Sequence, residues 1–387
     1  MRLTRTIRLP LEAKPSETLP TLEAYTKAFN LVCSIGWTDS DSNGISLHKK
    51  TYQQCKILGL PSQLCCSARV KATEALKSVQ ARIKKGKTAT CPVSKLCPVR
   101  LDARSFSIWL SERTCTIRLL DRRATFKFKV PKYYEQFLQW KPCSADLLVK
   151  NNKVFLHLVM EHDVEDPVLT GNVVGVDAGI KRAAVTSSNQ FFGGGVLSHT
   201  SNRYKNLRGM LQKKGHSGKR HLARMKAKEN RFVRDMLHVT SRKIVNSLQK
   251  GDIVAMEDLN GIRDRTKLRK KTRTMLNQWA FSRLQFCIKY KAEARGCMVV
   301  MVNPKYTSQG CSKCGHVEKA NRKSQSLFEC KRCGHRLNAD LNGSRNIALR
   351  GRMQVATGNM HGVPPTTLDA RCVQGRKALA LSKPTRL

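Results

Sequence analysis

No stretch of eighteen consecutive apolar residues occurs in this 387-residue chain, so a membrane-crossing helix is not expected. Its first residues, "MRLTRTIRLPLEAKPSE", lack the apolar middle of a signal peptide, and the expected location is inside the cell. Negative charge is scarce: 27 Asp and Glu stand against 72 Lys and Arg, a formal net charge of +45. Self-repulsion on that scale is tolerable only against a polyanion. Nucleic acid is therefore the expected partner, with an affinity that falls steeply with salt. A membrane surface fits less well, because no basic amphipathic helix with an aromatic face stands out. Walker-type phosphate loops and internal repeats are also missing, which excludes P-loop and solenoid architectures.

What is present is enough apolar content, 40%, to fold two or three domains rather than a basic tail. "MRLTRTIRL" alternates like a strand and stops at Pro10. Residues 21–37 place Leu22, Tyr25, Phe29, Val32 and Ile35 at helical spacing, and a second helix runs from Pro61 through Leu64, Ala68, Ala72, Leu76, Val79 and Ile83. Strand patterns return between 105 and 160 in "CTIRLL", "ATFKFKV", "ADLLVK" and "KVFLHLVM". The acidic "EHDVEDP" at 161–167 reads as a linker.

Beyond it, "VVGVD", "AAVTSS" and "QFF" suit an antiparallel meander, followed by a long basic helical stretch broken at 213–219. "GDIVAMED" and "CMVVMV" are further strands separated by a helix that Gly296 closes, and "ADLNGSRNIALRG" is a last helix ending at Gly351. The final residues, 352–387, have no sustained period and are expected to be a disordered tail. This element order predicts an α/β multidomain protein whose second part is an RNase H-like layered sheet.

In such a sheet the ends of the first and fourth strands lie side by side, which brings Asp177 together with Glu257 or its neighbour Asp258. Asp340, at the start of the last helix, is placed to join them. Three carboxylates in so basic a chain need divalent cations to neutralise them, and hard oxygen donors suit Mg²⁺ or Mn²⁺. Two such ions can activate a water against a phosphodiester. Taken singly, each acid is an ordinary strand-end residue.

The cysteines carry a sharper signal. Of 15, Cys311, Cys314, Cys330 and Cys333 form two Cys-x-x-Cys knuckles with fifteen residues between them. That spacing fits one structural Zn²⁺ held by four thiolates with no open coordination position. Cys33, Cys55, Cys65, Cys66 and Cys115 read as small core residues. Cys91 and Cys97 have no matching pair. His316 and His335 follow the knuckles as spare imidazoles, and Lys313, Lys319, Arg322, Lys323, Lys331 and Arg332 are ribbon cations able to meet nucleic acid.

At this point "VVGVDAGIKRAAV", "IVAMEDLNGI", "YTSQGCSKCGH" and "CKRCGHRLNADLNGSRNIA" together resemble the TnpB family, insertion-sequence nucleases related to type V CRISPR effectors. The resemblance covers roughly 172–350; before it, only architecture, basic character and length agree. It implies a β-barrel-like wedge domain (1–10 and 100–165) with a helical recognition insert (11–99). A RuvC-like nuclease domain (168–305 and 336–351) would follow, interrupted by a zinc ribbon (306–335). It also implies Mg²⁺-dependent cleavage of double-stranded DNA beside a short protein-read motif, directed by a bound guide RNA, one chain per RNA, in the nucleoid-associated cytoplasm of a bacterium or archaeon.

Carried over by position, Asp177, Glu257 and Asp340 are the catalytic, magnesium-binding acids. One departure is Asn338, where family members often carry an aspartate. Gln63, Arg69 and Lys71 are candidates for reading the duplex motif. Arg263, Arg265, Lys267, Arg269, Lys270, Lys271 and Arg273 are candidates for holding the DNA strand beside the acids. The alternatives are a nuclease-inactive RNA-guided repressor, a compact type V effector, and a transposase or resolvase working without RNA.

Overall fold

The computed structural model describes residues 1–179, 182–259, 281–324 and 326–357. Two compact units divide the chain, Met1–Glu165 and Asp166–Leu387.

In the first unit, β1 (Arg2–Pro10) turns Leu3, Ile7 and Leu9 into the core and leaves Arg2, Thr4 and Arg8 outside, the period-two pattern of a half-buried strand. Three helices follow: α1 (Pro15–Thr38), α2 (Gly44–Ile57) and α3 (Ser62–Ile83). Leu22, Tyr25, Phe29 and Val32 of α1 face Leu64, Ala68, Ala72 and Leu76 of α3 in one continuous core.

The chain then enters β2 (Val99–Leu101), β3 (Phe106–Trp109), β4 (Thr114–Arg118), β5 (Arg123–Lys127), a 3-10 turn (Lys132–Phe137), β6 (Lys141–Lys150) and β7 (Lys153–Asp163). One sheet has the order β1-β7-β6-β2 and a second the order β3-β4-β5, all neighbours antiparallel. Asn151 and Asn152, both at positive φ, make the tight turn from β6 to β7, as an Asn pair readily does.

Three details depart from the sequence reading. Helix α2 went unforeseen because its buried stripe is only Leu47, Thr51 and Cys55, too thin and too polar to register as periodic. Its start is fixed instead by Asn43, whose Oδ1 accepts hydrogen bonds from the N–H groups of Ile45 (2.8 Å) and Ser46 (3.3 Å). Strands β2 and β3 are too short to show a period. The acidic run does not begin a linker at 161: β7 continues to Asp163, where Arg2 pairs with Asp163 (2.7 Å) and Glu161 (3.6 Å).

In the second unit, β8 (Val173–Asp177), β9 (Arg182–Thr186) and β10 (Phe191–Gly193) form the antiparallel meander. Helices α4 (Gly195–Gln212) and α5 (Gly215–Asn246) follow, then β11 (Ile253–Glu257), α6 (Phe281–Ala294) and β12 (Met298–Val302). The sheet order is β10-β9-β8-β11-β12, with β8, β11 and β12 mutually parallel.

Successive residues alternate between its faces. Val174, Val176, Val254 and Met256 pack on α5 and α6, through Leu237, Ile244, Leu284 and Ile288. Val173, Ile253, Ala255 and Val300 pack on the last helix, α7 (Ala339–Ala356), through Ile347.

Helix α7 does not stop at Gly351. A Cβ there would lie 2.5 Å from Ala255 Cβ, so the glycine permits close packing on the sheet rather than ending the helix. Residues 352–356, expected to belong to the tail, are helical, and the rest of that expected tail, 358–387, lies outside the described residues. Between β12 and α7, two small strands, β13 (Leu327–Glu329) and β14 (Arg336–Asn338), pair antiparallel and flank the second cysteine knuckle, Cys330 and Cys333. No described helix is long and apolar enough to cross a membrane.

Candidate active site

The alternation along β8 and β11 decides which acids share a face. Register pairs Val173 with Ile253 and Val176 with Met256, so Asp177 and Glu257 come next, on the face that Val173, Ile253 and Ala255 turn to α7. Asp258 has the opposite parity, and its N–H donates to Val302 O (2.8 Å).

Asp340 arrives on the same face from the first turn of α7. Asn338 caps that helix, its Oδ1 accepting from Asp340 N–H (3.1 Å) and Leu341 N–H (3.2 Å). The amide thus does the capping that an aspartate would do there. Helix and sheet approach closely at this point. A Cβ on Gly175 would sit 2.1 Å from Ser344 O, and one on Gly343 would sit 3.0 Å from Asp177 Oδ2. Side chains at these positions would push Asp340 away from Asp177.

The electrostatics bear the marks of this crowding. Burial, with Glu257 and Asp340 close by, holds Asp177 up at about 8, while Arg322 pulls the other way. Burial raises Glu257 too, against the hydrogen bond from Thr307 and the charge of Arg350. Asp340 is flanked by Arg322 (3.3 Å) and Arg182 (4.0 Å). Three carboxylates buried together supply the hard oxygen donors that suit a divalent cation.

Arg322, grouped by sequence with the ribbon's nucleic-acid cations, is instead drawn in to the acids. Nothing in its local sequence announced this. It lies 18 positions before Asp340, and only the ribbon's fold brings the two together.

The ribbon places its four cysteine sulfurs within 4.8 Å of one another, with Cys311–Cys333 at 3.7 Å and Cys314–Cys330 at 3.6 Å. Its two knuckles are built alike: Gly315 N–H donates to Cys311 O (2.9 Å) and Gly334 N–H to Cys330 O (3.0 Å). Burial opposes ionisation of Cys330, yet the backbone N–H groups of Cys333 and Arg332 bring it down to about 6. Soft sulfur donors in this compact array fit zinc. His316 Nε2 lies 3.1 Å from Glu318, outside the sulfur cluster.

The candidate motif-reading trio occupies α3 and is partly engaged internally. Gln63 donates to Asp102, and Lys71 Nζ donates to Pro98 O (2.7 Å) and Asp146 Oδ1 (3.2 Å). Arg69 lies against Gly44, its buried Nε without a hydrogen-bond partner among the described residues. The basic run from Arg263 to Arg273 lies outside the described residues.

Two stretches of the chain match known families. Residues 157–261 match a family described as a probable transposase, and residues 281–347 match the TNB domain of Cas12f1-like proteins. Among curated relatives, Cas12f1 of Syntrophomonas palmitatica, a CRISPR-associated endodeoxyribonuclease, is 33% identical over 49% of this chain and 39% of its own length. InsQ of Escherichia coli strain K12, described as a putative RNA-guided DNA endonuclease, is 33% identical over 54% of this chain and 56% of its own.

A TnpB-like protein of Methanocaldococcus jannaschii is 29% identical over 51% of this chain and 70% of its own. The matches with the first two relatives thus reach only about half of their length. The fold resembles that of Cas12f1 solved with single guide RNA and target DNA, with a TM-score of 0.61 at 16% identity, over 85% of this chain and 81% of the other.

Proposed function

From its kinship with the TnpB-like proteins and the Cas12f1 nucleases, we propose that this chain is an RNA-guided endonuclease that cuts double-stranded DNA. The observation that carries the reading is the convergence of Asp177 and Glu257 on the sheet with Asp340 at the start of α7, beside a four-cysteine ribbon and within a chain of net charge +45.

In this reading the second unit is a RuvC-type nuclease on an RNase H-like sheet, interrupted by a zinc ribbon. The first is a wedge with a helical recognition insert, and the bulk positive charge holds a guide RNA and its DNA heteroduplex. Motif reading then falls to the helical insert, where Arg69 of α3 is less committed to internal bonds than Gln63 and Lys71.

Asp177, Glu257 and Asp340 would hold Mg²⁺ or Mn²⁺, which when bound would supply positive charge against the charge developing on the phosphate and lower the pKa of an attacking water. The chain's own residues set the stage. Arg322 and Arg182 flank Asp340 and lower the field that a scissile phosphate would meet. Helix α7 keeps Asp340 against the sheet, and Gln285 Nε2, donating to Glu257 O (2.6 Å), fixes the backbone of the second acid. The cysteines close a structural zinc site that anchors the connection into α7.

The reading is tested by sequencing the RNA that co-purifies with the protein and offering plasmids complementary to its variable end. A defined RNA and cleavage at the complementary site are expected. Protein without bound RNA, cutting irrespective of sequence, would favour an unguided transposase-like enzyme.

A further inference from the structure

Beyond the acids themselves, the connector from β12 into the zinc ribbon reaches the nuclease site. We infer that Thr307, in this connector, is a positioning residue that sets the orientation of the Glu257 carboxylate for cation binding; the inference rests on the nuclease reading above. Thr307 is buried, 4% exposed, and its Oγ1 donates to Glu257 Oε1. Pro304 O, 3.0 Å away, is the alternative acceptor. A hydroxyl has a single proton, and the charge-assisted bond to a carboxylate is the stronger use of it.

What makes this a built device is how the connector is held. Asn342, Asn346 and Arg350 recur every fourth residue along one side of α7. Asn342 receives Ser312 N–H on its Oδ1 (3.0 Å) and donates to Gly310 O (2.8 Å). Asn346 donates to Thr307 O (2.9 Å) and Gly310 O (2.7 Å), and Arg350 to Asn303 O (2.6 Å).

Both asparagines are buried, where amides persist only if satisfied. The helix that delivers Asp340 at its first turn therefore grips, along its length, the segment that delivers Thr307 to Glu257. Gln285 fixes the main chain of Glu257, and Thr307 fixes its side chain. The ribbon is thereby joined to two of the three acids, one at each end of the connection.

The test measures cation binding directly. Full-length protein, freed of RNA and purified with its zinc, is titrated with Mn²⁺ by electron paramagnetic resonance, with Asp177→Ala as the background for binding elsewhere. Thr307→Val, which keeps the shape and removes the hydroxyl, is expected to weaken the site about tenfold, the worth of a hydrogen bond to a charged group. Its zinc content and far-ultraviolet circular dichroism should match wild type, and Thr307→Ser should restore the affinity.

Wild-type affinity in Thr307→Val, beside a normal wild-type site, overturns this inference alone, as does a Thr307→Ser variant as weak as the valine. A wild-type chain that binds Mn²⁺ no better than Asp177→Ala overturns the nuclease reading and this inference with it.

Discussion

Asp177→Asn should make the protein without Mg²⁺ more stable at alkaline pH. The carboxyl is held up from 3.8 to about 8, first by burial and then by Glu257 and Asp340. The folded protein therefore keeps this proton more tightly than the unfolded chain, and stability falls as the pH rises between those two values. The penalty is absent below 3.8 and complete above 8. About four decades of proton affinity at about 1.36 kcal/mol each set a ceiling of roughly 5–6 kcal/mol.

Relaxation and entering water reduce the expected gain from neutralising the group to about 2–4 kcal/mol. For a unit of this size that is a rise in melting temperature of roughly 5–12 °C. Thermal melts of the zinc-loaded protein without added Mg²⁺, at pH 9 and at pH 4.5, read it. The advantage should be large at pH 9 and about 1 kcal/mol or less at pH 4.5, and added Mg²⁺ at pH 9 should stabilise wild type more than the variant. Equal melting of both proteins at pH 9 would refute the claim that burial beside Glu257 and Asp340 holds the Asp177 proton in place.

Other outcomes follow from the same contacts. Cys330→Ser should lose the zinc, about one ion per chain by metal analysis, and with it the folded ribbon; a zinc-free native protein would contradict the assignment. Gly175→Ala should cost about 3 kcal/mol or more, because the new methyl meets backbone atoms of α7 that cannot turn aside. A melting temperature equal to wild type would show that α7 does not need that close approach.

Much of the second unit could be read from the chain because its strands are short apolar runs, two of them ending in acids, and strand order follows from chirality and short connections. The four cysteines were legible because metal ligation demands a fixed spacing. The choice of Glu257 over Asp258 was not decided by pattern, since parity has meaning only once a strand's neighbours are placed. The pairing of β8 with β11 places them.

Gly351 was misread because a glycine that ends a helix and a glycine that lets a helix lie flat on a sheet look alike in sequence. Arg322 and Thr307 were missed because each reaches its acid through the ribbon's tertiary fold. For the stripe of Asn342, Asn346 and Arg350 a signal was available: hydrogen-bonding side chains at four-residue spacing, on a helix already suspected of carrying an acid, mark one side that holds something.

The central claim, that Asp177 belongs to a cation-dependent nuclease site, is tested most directly by Asp177→Ala. Purified wild type and variant, each with its co-purified RNA, are given Mg²⁺ and a DNA duplex matching that RNA, and cleavage is followed alongside RNA and target binding. Loss of cutting with binding nearly intact is predicted. Undiminished cutting by the variant would contradict the account.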